Sequence, residues 1–162
     1  MPLPTSIPGV AYVEVLRGAF ATPETAPTLL VEVPHGADEQ DHYDALRPQL
    51  RGDLPRDLEH FFWVNTDVSA WAYGRATAEA VLAAEPERSA LLVRSLIPRT
   101  FIDCNRPAAF QGEGLAGGVT AGTPAYVDHP EDLSLLQGLH RAYVEVARAA
   151  YAAVCGAGGY AL

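Results

Sequence analysis

A short apolar run that stops at Pro-His-Gly constrains the fold of this chain more than any other feature. Residues 29–33 are Leu, Leu, Val, Glu and Val, and Pro34 and Gly36 follow at once. Apolar, β-branched residues bounded by turn residues predict a buried strand over residues 28–34. His35 then lies at the carboxyl end of that strand, where open α/β sheets usually place their binding crevices.

The rest of the chain alternates between patterns typical of strands and of helices. Further strands are predicted at residues 11–16, 90–96 and 100–103, with another beginning at residue 160. Helices are predicted at residues 41–50, 55–62, 68–84 and 132–155. The strands at 11–16 and 28–34 are expected to form a hairpin, and the Gly- and Pro-rich residues 107–130 a long functional loop. This alternation predicts an α/β fold of three α/β/α layers around a mixed central sheet, phosphorylase/hydrolase-like in type.

Length and charge limit the classes of function. The 162 residues suit a single domain, and the net charge of −9 argues against general binding to nucleic acid or to an anionic membrane. Two cysteines without metal-binding spacing favour a reducing compartment, and the start of the chain does not have the pattern of a signal peptide. We therefore expect a cytoplasmic protein whose partner is a small molecule, and a homo-oligomer is compatible with the sequence.

His35 is the first candidate for chemistry. Asp38 follows it by three residues, and an imidazole with a carboxylate at this spacing is a known pair of zinc ligands. The alternative is that Asp38 caps the helix that follows. Asp67, in Asn65-Thr66-Asp67, presents the same choice between a metal ligand and the N-cap of the helix predicted at 68–84.

A polar group near residue 103 is the most informative part of the sequence. Asp103 and Asn105 are predicted to share one face of a strand, with Arg99 and Arg106 beside them. A guanidinium presents a planar fork that matches a carboxylate, so two arginines and an amide suit a carboxylate ligand. The alternative is a surface salt bridge worth roughly 0–1 kcal/mol. The apolar surroundings of Asp103 favour a binding site, because buried polar groups need partners.

These residues resemble the N-formylglutamate amidohydrolase family. The resemblance rests on Val33-Pro34-His35-Gly36, on Asn65-Thr66-Asp67, and above all on the Arg-x-x-x-Asp-x-Asn-Arg pattern of residues 99–106. It extends from about residue 28 to the end of the chain. The family is similar in fold to zinc carboxypeptidases and aspartoacylase-like deacylases. The implied reaction is the zinc-dependent hydrolysis of an N-acyl amino acid with a free carboxylate, such as N-formylglutamate to formate and glutamate.

The resemblance also implies a role for each matching residue. One Zn²⁺ would be held by His35 and by Asp67, with Asp38 as the competing carboxylate. Asn105 and Arg106 would hold the substrate carboxylate, and Asp103 would orient the arginine. Arg99 would assist as the catalytic residue, and His140 on the last long helix would join the substrate-binding group.

In the family, a later strand supplies another histidine ligand, and a downstream glutamate acts as the general base. The sequence ends at Tyr160-Ala161-Leu162, where we expect that strand to begin. We therefore expect residues 1–162 to form a single, incomplete amidohydrolase-like domain that is truncated before this strand. His42, His60, His129 and His140 are the remaining histidines that could act as a ligand, and His140 is the best placed of them.

Three functions therefore stay open at this point: a zinc amidohydrolase, a carboxylate-binding domain or inactive fragment that lacks the second histidine ligand and the general base, and a cysteine hydrolase that uses Cys104. The third is the weakest, because Cys104 should face away from Asp103 and Asn105.

Overall fold

The computed structural model describes residues 2–109 and 120–162. In these residues, four strands form one mixed sheet: β1 (Ala11–Arg17), β2 (Pro27–Val33), β3 (Ser89–Ser95) and β4 (Tyr160–Ala161). Four α-helices accompany the sheet: α1 (Gln40–Leu46), α2 (Leu58–Asn65), α3 (Ala70–Ala84) and α4 (Pro130–Val154). Short 3₁₀ turns, Arg47–Gln49 and Cys155–Ala157, follow α1 and α4.

The sheet has the order β1-β3-β2-β4, with β3 antiparallel to β1 and parallel to β2. The predicted hairpin between residues 11–16 and 28–34 is therefore wrong, because β3 lies between those two strands. The reason is burial: every residue of β3 is buried, and its apolar side chains fill both faces of the sheet. A strand of this kind loses most contact with water in the middle of a sheet.

Helices cover both faces of the sheet, as the three-layer α/β/α prediction requires. Alternate residues of β2 point to opposite faces. Leu29, Val31 and Val33 pack with Ala78 and Leu82 of α3. On the opposite face, the larger apolar cluster joins the sheet to α1, α2 and α4; it includes Leu30, Leu91, Val93, Leu46, Phe62, Leu136 and Tyr143. The predicted α/β fold is confirmed.

The predicted strand at residues 100–103 does not form. Residues 96–109 follow β3 as turns, in which the backbone N–H groups of Phe101 and Ile102 both donate to the carbonyl of Pro98. Phe101 and Ile102 are completely buried in the core all the same. Their apolar side chains thus pack into the core from a folded loop. A run of only four apolar residues does not distinguish such a loop from a strand.

Other boundaries differ by a few residues. The helix predicted at 41–50 ends at Leu46 and continues as a 3₁₀ turn that contains Pro48. Within the predicted loop 107–130, residues 110–119 lie outside the described residues, and residues 120–129 have no regular structure. None of the helices in the described residues is both long enough and apolar enough to cross a membrane.

Candidate functional site

The candidate site lies where β2 and β3 end. His35 follows β2 by two residues, and the turns after β3 carry Arg99, Asp103 and Arg106. Because β2 and β3 are parallel neighbours, their carboxyl ends meet at the same edge of the sheet. Asp67, from the connection between α2 and α3, closes the site from the side.

His35 is held between two carboxylates. Its Nδ1 lies 2.8 Å from Oδ2 of Asp67, and its Nε2 lies 2.7 Å from Oδ1 of Asp103. The side chains of His35 and Asp103 are 14% and 9% exposed, whereas that of Asp67 is 49% exposed. The Nε2 edge of the imidazole ring is therefore held inside the protein, whereas the Nδ1 edge points to an exposed carboxylate.

The two carboxylates change the acidity of the imidazole. Burial lowers the pKa of His35, but the hydrogen bonds with Asp103 and Asp67 outweigh it and leave that pKa raised. Burial raises the pKa of Asp103, but hydrogen bonds from His35 and from the backbone of Asn105 leave it lowered. Both shifts favour a protonated imidazole that donates to both carboxylates in the absence of a metal.

Asp103 joins His35 to the two arginines. Its Oδ1 accepts from the backbone N–H of Asn105 at 2.8 Å, on the same oxygen that faces His35. Its Oδ2 lies 3.3 Å from Nε of Arg99 and 3.1 Å from Nε of Arg106. Both oxygens of Asp103 are thus occupied by protein groups, which makes this carboxylate an anchor for the site.

A cleft of about 270 Å³ lies in front of the two arginines. Its lining joins α2, the turns after β3 and the segment before α4; the residues are Phe61, Asn65, Arg99, Asp103, Arg106, Thr120, Ala121, Gly122, Pro124 and Tyr126. Phe61 and Asn65 are four residues apart on α2, so both point from one face of that helix into the cleft. No pattern in the sequence indicates Phe61, Thr120 or Tyr126 as site residues.

The structure places Asn105 differently from the prediction. Asp103 and Asn105 do not share a strand face, because the segment is a turn, and Asn105 is exposed and outside the lining of the cleft. Its backbone N–H holds Asp103, and Asn65 is the asparagine that lines the cleft. The amide side chain that lines the cleft therefore comes from α2.

His140 supports the arginine turn from behind. It is buried on α4, and its Nε2 lies 2.8 Å from the backbone carbonyl oxygen of Arg106. It does not belong to the lining of the cleft. Its contact positions the backbone of Arg106, while the side chain of Arg106 reaches the cleft.

Asp38 is directed to another partner. Its Oδ1 lies 3.0 Å from Nη2 of Arg94, and its Oδ2 accepts from the backbone N–H of Ser69. Neither predicted role, zinc ligand beside His35 or cap of the helix that follows, accounts for these contacts. Arg94, a buried arginine within β3, also lies 2.8 Å from Glu39 and 5.3 Å from the ring centre of Trp71. The sequence did not indicate this cluster, because Arg94 is surrounded by apolar neighbours in the chain.

The residues Asp38, Glu39 and His42 bring three potential metal-ligand atoms within 4.8 Å of one another, the one such group among the described residues. The guanidinium of Arg94 already contacts both carboxylates of this group. A positive charge in that position disfavours a second cation.

Zinc, the metal that the resemblance implies, fits the donors at His35 and Asp67 in type. An imidazole nitrogen and a carboxylate oxygen are common zinc ligands. The contact between Nε2 of His35 and Asp103 has the form of the carboxylate–histidine pairs that orient zinc-bound imidazoles through their second nitrogen. These residues supply two of the three protein ligands that a catalytic zinc site normally has.

Cys104 has the properties of a core residue. It is buried, its Sγ lies 3.6 Å from Oγ of Ser95, and burial raises the pKa of its thiol to about 12. Nucleophilic cysteines need a thiolate, which requires a low pKa and access to solvent. The geometry therefore disfavours a cysteine hydrolase.

Comparisons of the chain with protein-family models, with curated proteins and with solved structures give no match. The amidohydrolase resemblance of residues 33–36 and 99–106 thus stays a prediction.

Proposed function

We propose that this chain carries a zinc-dependent amidohydrolase site for N-acyl amino acids, with N-formylglutamate as the example that the family resemblance suggests. The observation that carries the proposal is the position of Asp103, whose two oxygens join His35 to Arg99 and Arg106. One residue thereby places a pair of potential metal donors beside a pair of carboxylate-binding groups. A substrate with an amide next to a carboxylate requires both.

The arginines would bind the substrate carboxylate. Asp103 contacts the Nε atom of each guanidinium, so the terminal nitrogens keep N–H groups that can donate to a ligand in the cleft. Arg106 also donates to the hydroxyl of Thr120, which fixes the side chain at the rim. Prepositioned arginines lose less conformational freedom when a ligand binds.

His35 and Asp67 would hold the metal. Zinc supplies Lewis-acid chemistry at such a site, since the cation polarises an amide carbonyl and makes water more acidic. To hold the metal, Nδ1 of His35 would have to lose its proton, while Asp103 would keep the proton on Nε2 and orient the ring. In the overall reaction, water adds to the acyl carbon, the C–N bond breaks, and the amine takes up a proton.

A second candidate function is a carboxylate-binding domain without catalysis. The observation in its favour is that the arginine cleft is assembled within the described residues, whereas His35 and Asp67 supply two of the three protein ligands that a catalytic zinc site normally has. This candidate predicts carboxylate binding that survives a chelator and depends on Arg106.

A cytoplasmic location and a homo-oligomer belong to the same proposal. Both cysteines, Cys104 and Cys155, are free, which agrees with a reducing compartment. The homo-oligomer stays a prediction, which a measurement of molecular size in solution would test.

The test of the proposed function is zinc content by elemental analysis, together with release of formate from N-formyl amino acids. We expect zinc in the purified chain and formate release, both lost in His35→Ala. The matched control is His60→Ala, an exposed histidine on α2, which should keep both. A folded chain without zinc or turnover that still binds carboxylates through Arg106 would support the binding domain and contradict the hydrolase.

A further inference from the structure

The charges that line the cleft suit a ligand with one carboxylate. Arg99 and Arg106 carry two positive charges, and Asp103 cancels one of them through contacts of 3.3 and 3.1 Å. The phenol of Tyr126 is neutral at physiological pH, as a phenol ordinarily is, and burial raises its pKa further, to about 12. The other described side chains of the lining are uncharged, so one positive charge remains for the ligand. Asp67 lies 3.6 Å from Arg99, but it is outside the lining and is paired with His35 at 2.8 Å.

The remaining wall of the cleft is mostly apolar. Phe61 lies on the side of α2 that faces the cleft, and Ala121, Pro124 and Tyr126 come from the segment before α4. The hydroxyl of Tyr126 donates to the backbone carbonyl of Thr100, so this group is already paired. The ring of Tyr126 therefore contributes apolar surface beside Phe61.

The polar side chains that remain do not replace a second cation. Thr120 is paired with Arg106, and Asn65 offers a neutral amide. A second ligand carboxylate in this cleft would leave water without a positive partner among the lining residues that the structure describes. Transfer of an unpaired charge to such surroundings is strongly unfavourable.

From this charge balance and the apolar wall, we infer that the cleft selects N-acyl amino acids with one carboxylate and an apolar, preferably aromatic, side chain, with Phe61 and Tyr126 as the residues that determine specificity. The inference rests on the proposed function and narrows its substrate class. Glutamate and aspartate derivatives are the disfavoured ligands, although the family resemblance points to N-formylglutamate.

The test compares the affinities of three ligands by isothermal titration calorimetry on the chelator-treated chain, which does not turn them over: N-formylphenylalanine, N-formylglutamate and N-formylglycine. The wild-type chain should bind N-formylphenylalanine about tenfold more tightly than N-formylglutamate. Phe61→Ala should weaken N-formylphenylalanine by about fivefold to tenfold and leave N-formylglycine unchanged. Phe61→Arg, which adds a positive charge to the wall, should reverse the preference. Trp63→Ala, at a similarly exposed position of α2 outside the lining, is the control.

The outcomes separate this inference from the proposed function. Binding of all three ligands that is lost in Arg106→Ala, but with N-formylglutamate bound as tightly as N-formylphenylalanine, would overturn the inference alone. Absence of binding, or binding that Arg106→Ala leaves unchanged, would overturn the proposed function and the inference together. The tenfold preference, lost in Phe61→Ala and kept in Trp63→Ala, supports both.

Discussion

Oδ1 of Asp103 lies 2.7 Å from Nε2 of His35, although 68 residues separate the two in the chain. The contact bridges the ends of two parallel strands and is buried on the side of Asp103. The other oxygen of Asp103 faces Arg99 and Arg106. A single carboxylate thus determines the relative positions of the proposed metal donors and the proposed carboxylate-binding groups.

Replacement of Asp103 should destabilise the protein. Asp103→Asn removes charge-assisted hydrogen bonds, and we expect a loss of about 1–3 kcal/mol in the free energy of unfolding. Chemical denaturation at neutral pH measures it. Asp128→Asn, at an exposed position, is the control and should stay within about 0.5 kcal/mol of wild type. Equal stability of Asp103→Asn and wild type would show that these contacts contribute little.

The two arginines should not be replaceable by lysine. Lysine keeps the positive charge but lacks the planar fork, so Arg99→Lys and Arg106→Lys should each weaken the binding of N-formylphenylalanine by about tenfold. Calorimetry measures the change. Arg148→Lys, an exposed position on α4, serves as the control. Unchanged affinity in both cleft variants would indicate that the ligand carboxylate binds elsewhere.

Asp132 makes stability depend on acidity. It is 1% exposed, and its carboxylate accepts from the backbone N–H groups of Arg51 and Gly52 at 2.9 Å each. Burial raises its pKa, but these hydrogen bonds outweigh burial and leave the pKa lowered. Its stabilising contribution is therefore complete above the unfolded-state pKa of about 3.9 and is lost as the pH falls through the folded-state value.

We expect Asp132→Ala to lose about 1–3 kcal/mol at pH 7, with the difference from wild type narrowing below about pH 4. Denaturation at a series of pH values measures this. The neighbouring Glu131→Gln, on an exposed side chain, should change stability by less than about 0.5 kcal/mol. A difference for Asp132→Ala that did not vary with pH would point to lost packing as the cause.

Two adjacent phenylalanines on α2 should behave in opposite ways. Phe62 is completely buried and lies 5.3 Å from Tyr43 between ring centres, whereas Phe61 is 42% exposed. Phe62→Ala should lose about 3–5 kcal/mol of stability, and Phe61→Ala less than about 1 kcal/mol. Thermal or chemical denaturation checks both. A large loss in Phe61→Ala would mean that this residue has a structural role, and would weaken its use as a probe of specificity.

The cysteines should differ in reactivity. Iodoacetamide at pH 8 should label the half-buried Cys155 and leave Cys104 unmodified in the folded protein. Peptide mass spectrometry identifies the labelled residue, and labelling in denaturant, where both should react, is the control. Rapid labelling of Cys104 in the folded chain would reopen the possibility of a cysteine hydrolase.

The sequence predicts most of the helices and strands, because burial gives each of them a recognisable pattern of apolar residues. β2, β3, α3 and α4 each carry an apolar pattern of the expected length. Pairing was harder to predict: a nearby hairpin partner is the default choice, and the burial of β3 on both faces decides otherwise. The run at Phe101 and Ile102 resembles a strand for the same reason, since it is apolar and completely buried.

The residues of the candidate site could likewise be predicted only in part. The sequence identifies His35, Asp67, Arg99, Asp103 and Arg106, which the structure brings together. It does not distinguish Asn65 from Asn105 as the residue of the cleft, because that depends on the turn after β3 and on the position of α2. The sequence does not indicate the role of Arg94, because a charged residue inside a buried strand gives no local sign of its distant partners.

The place of β3 between β1 and β2 has a consequence for the order of folding. β1 and β2 are separated by nine residues, whereas the strand that must enter between them begins at Ser89. Contacts between residues far apart in the chain slow folding, and parallel pairs need a crossover before they can form. His35 and Asp103 meet only once that crossover is complete, so the contact between them would serve as a late kinetic marker of the native sheet.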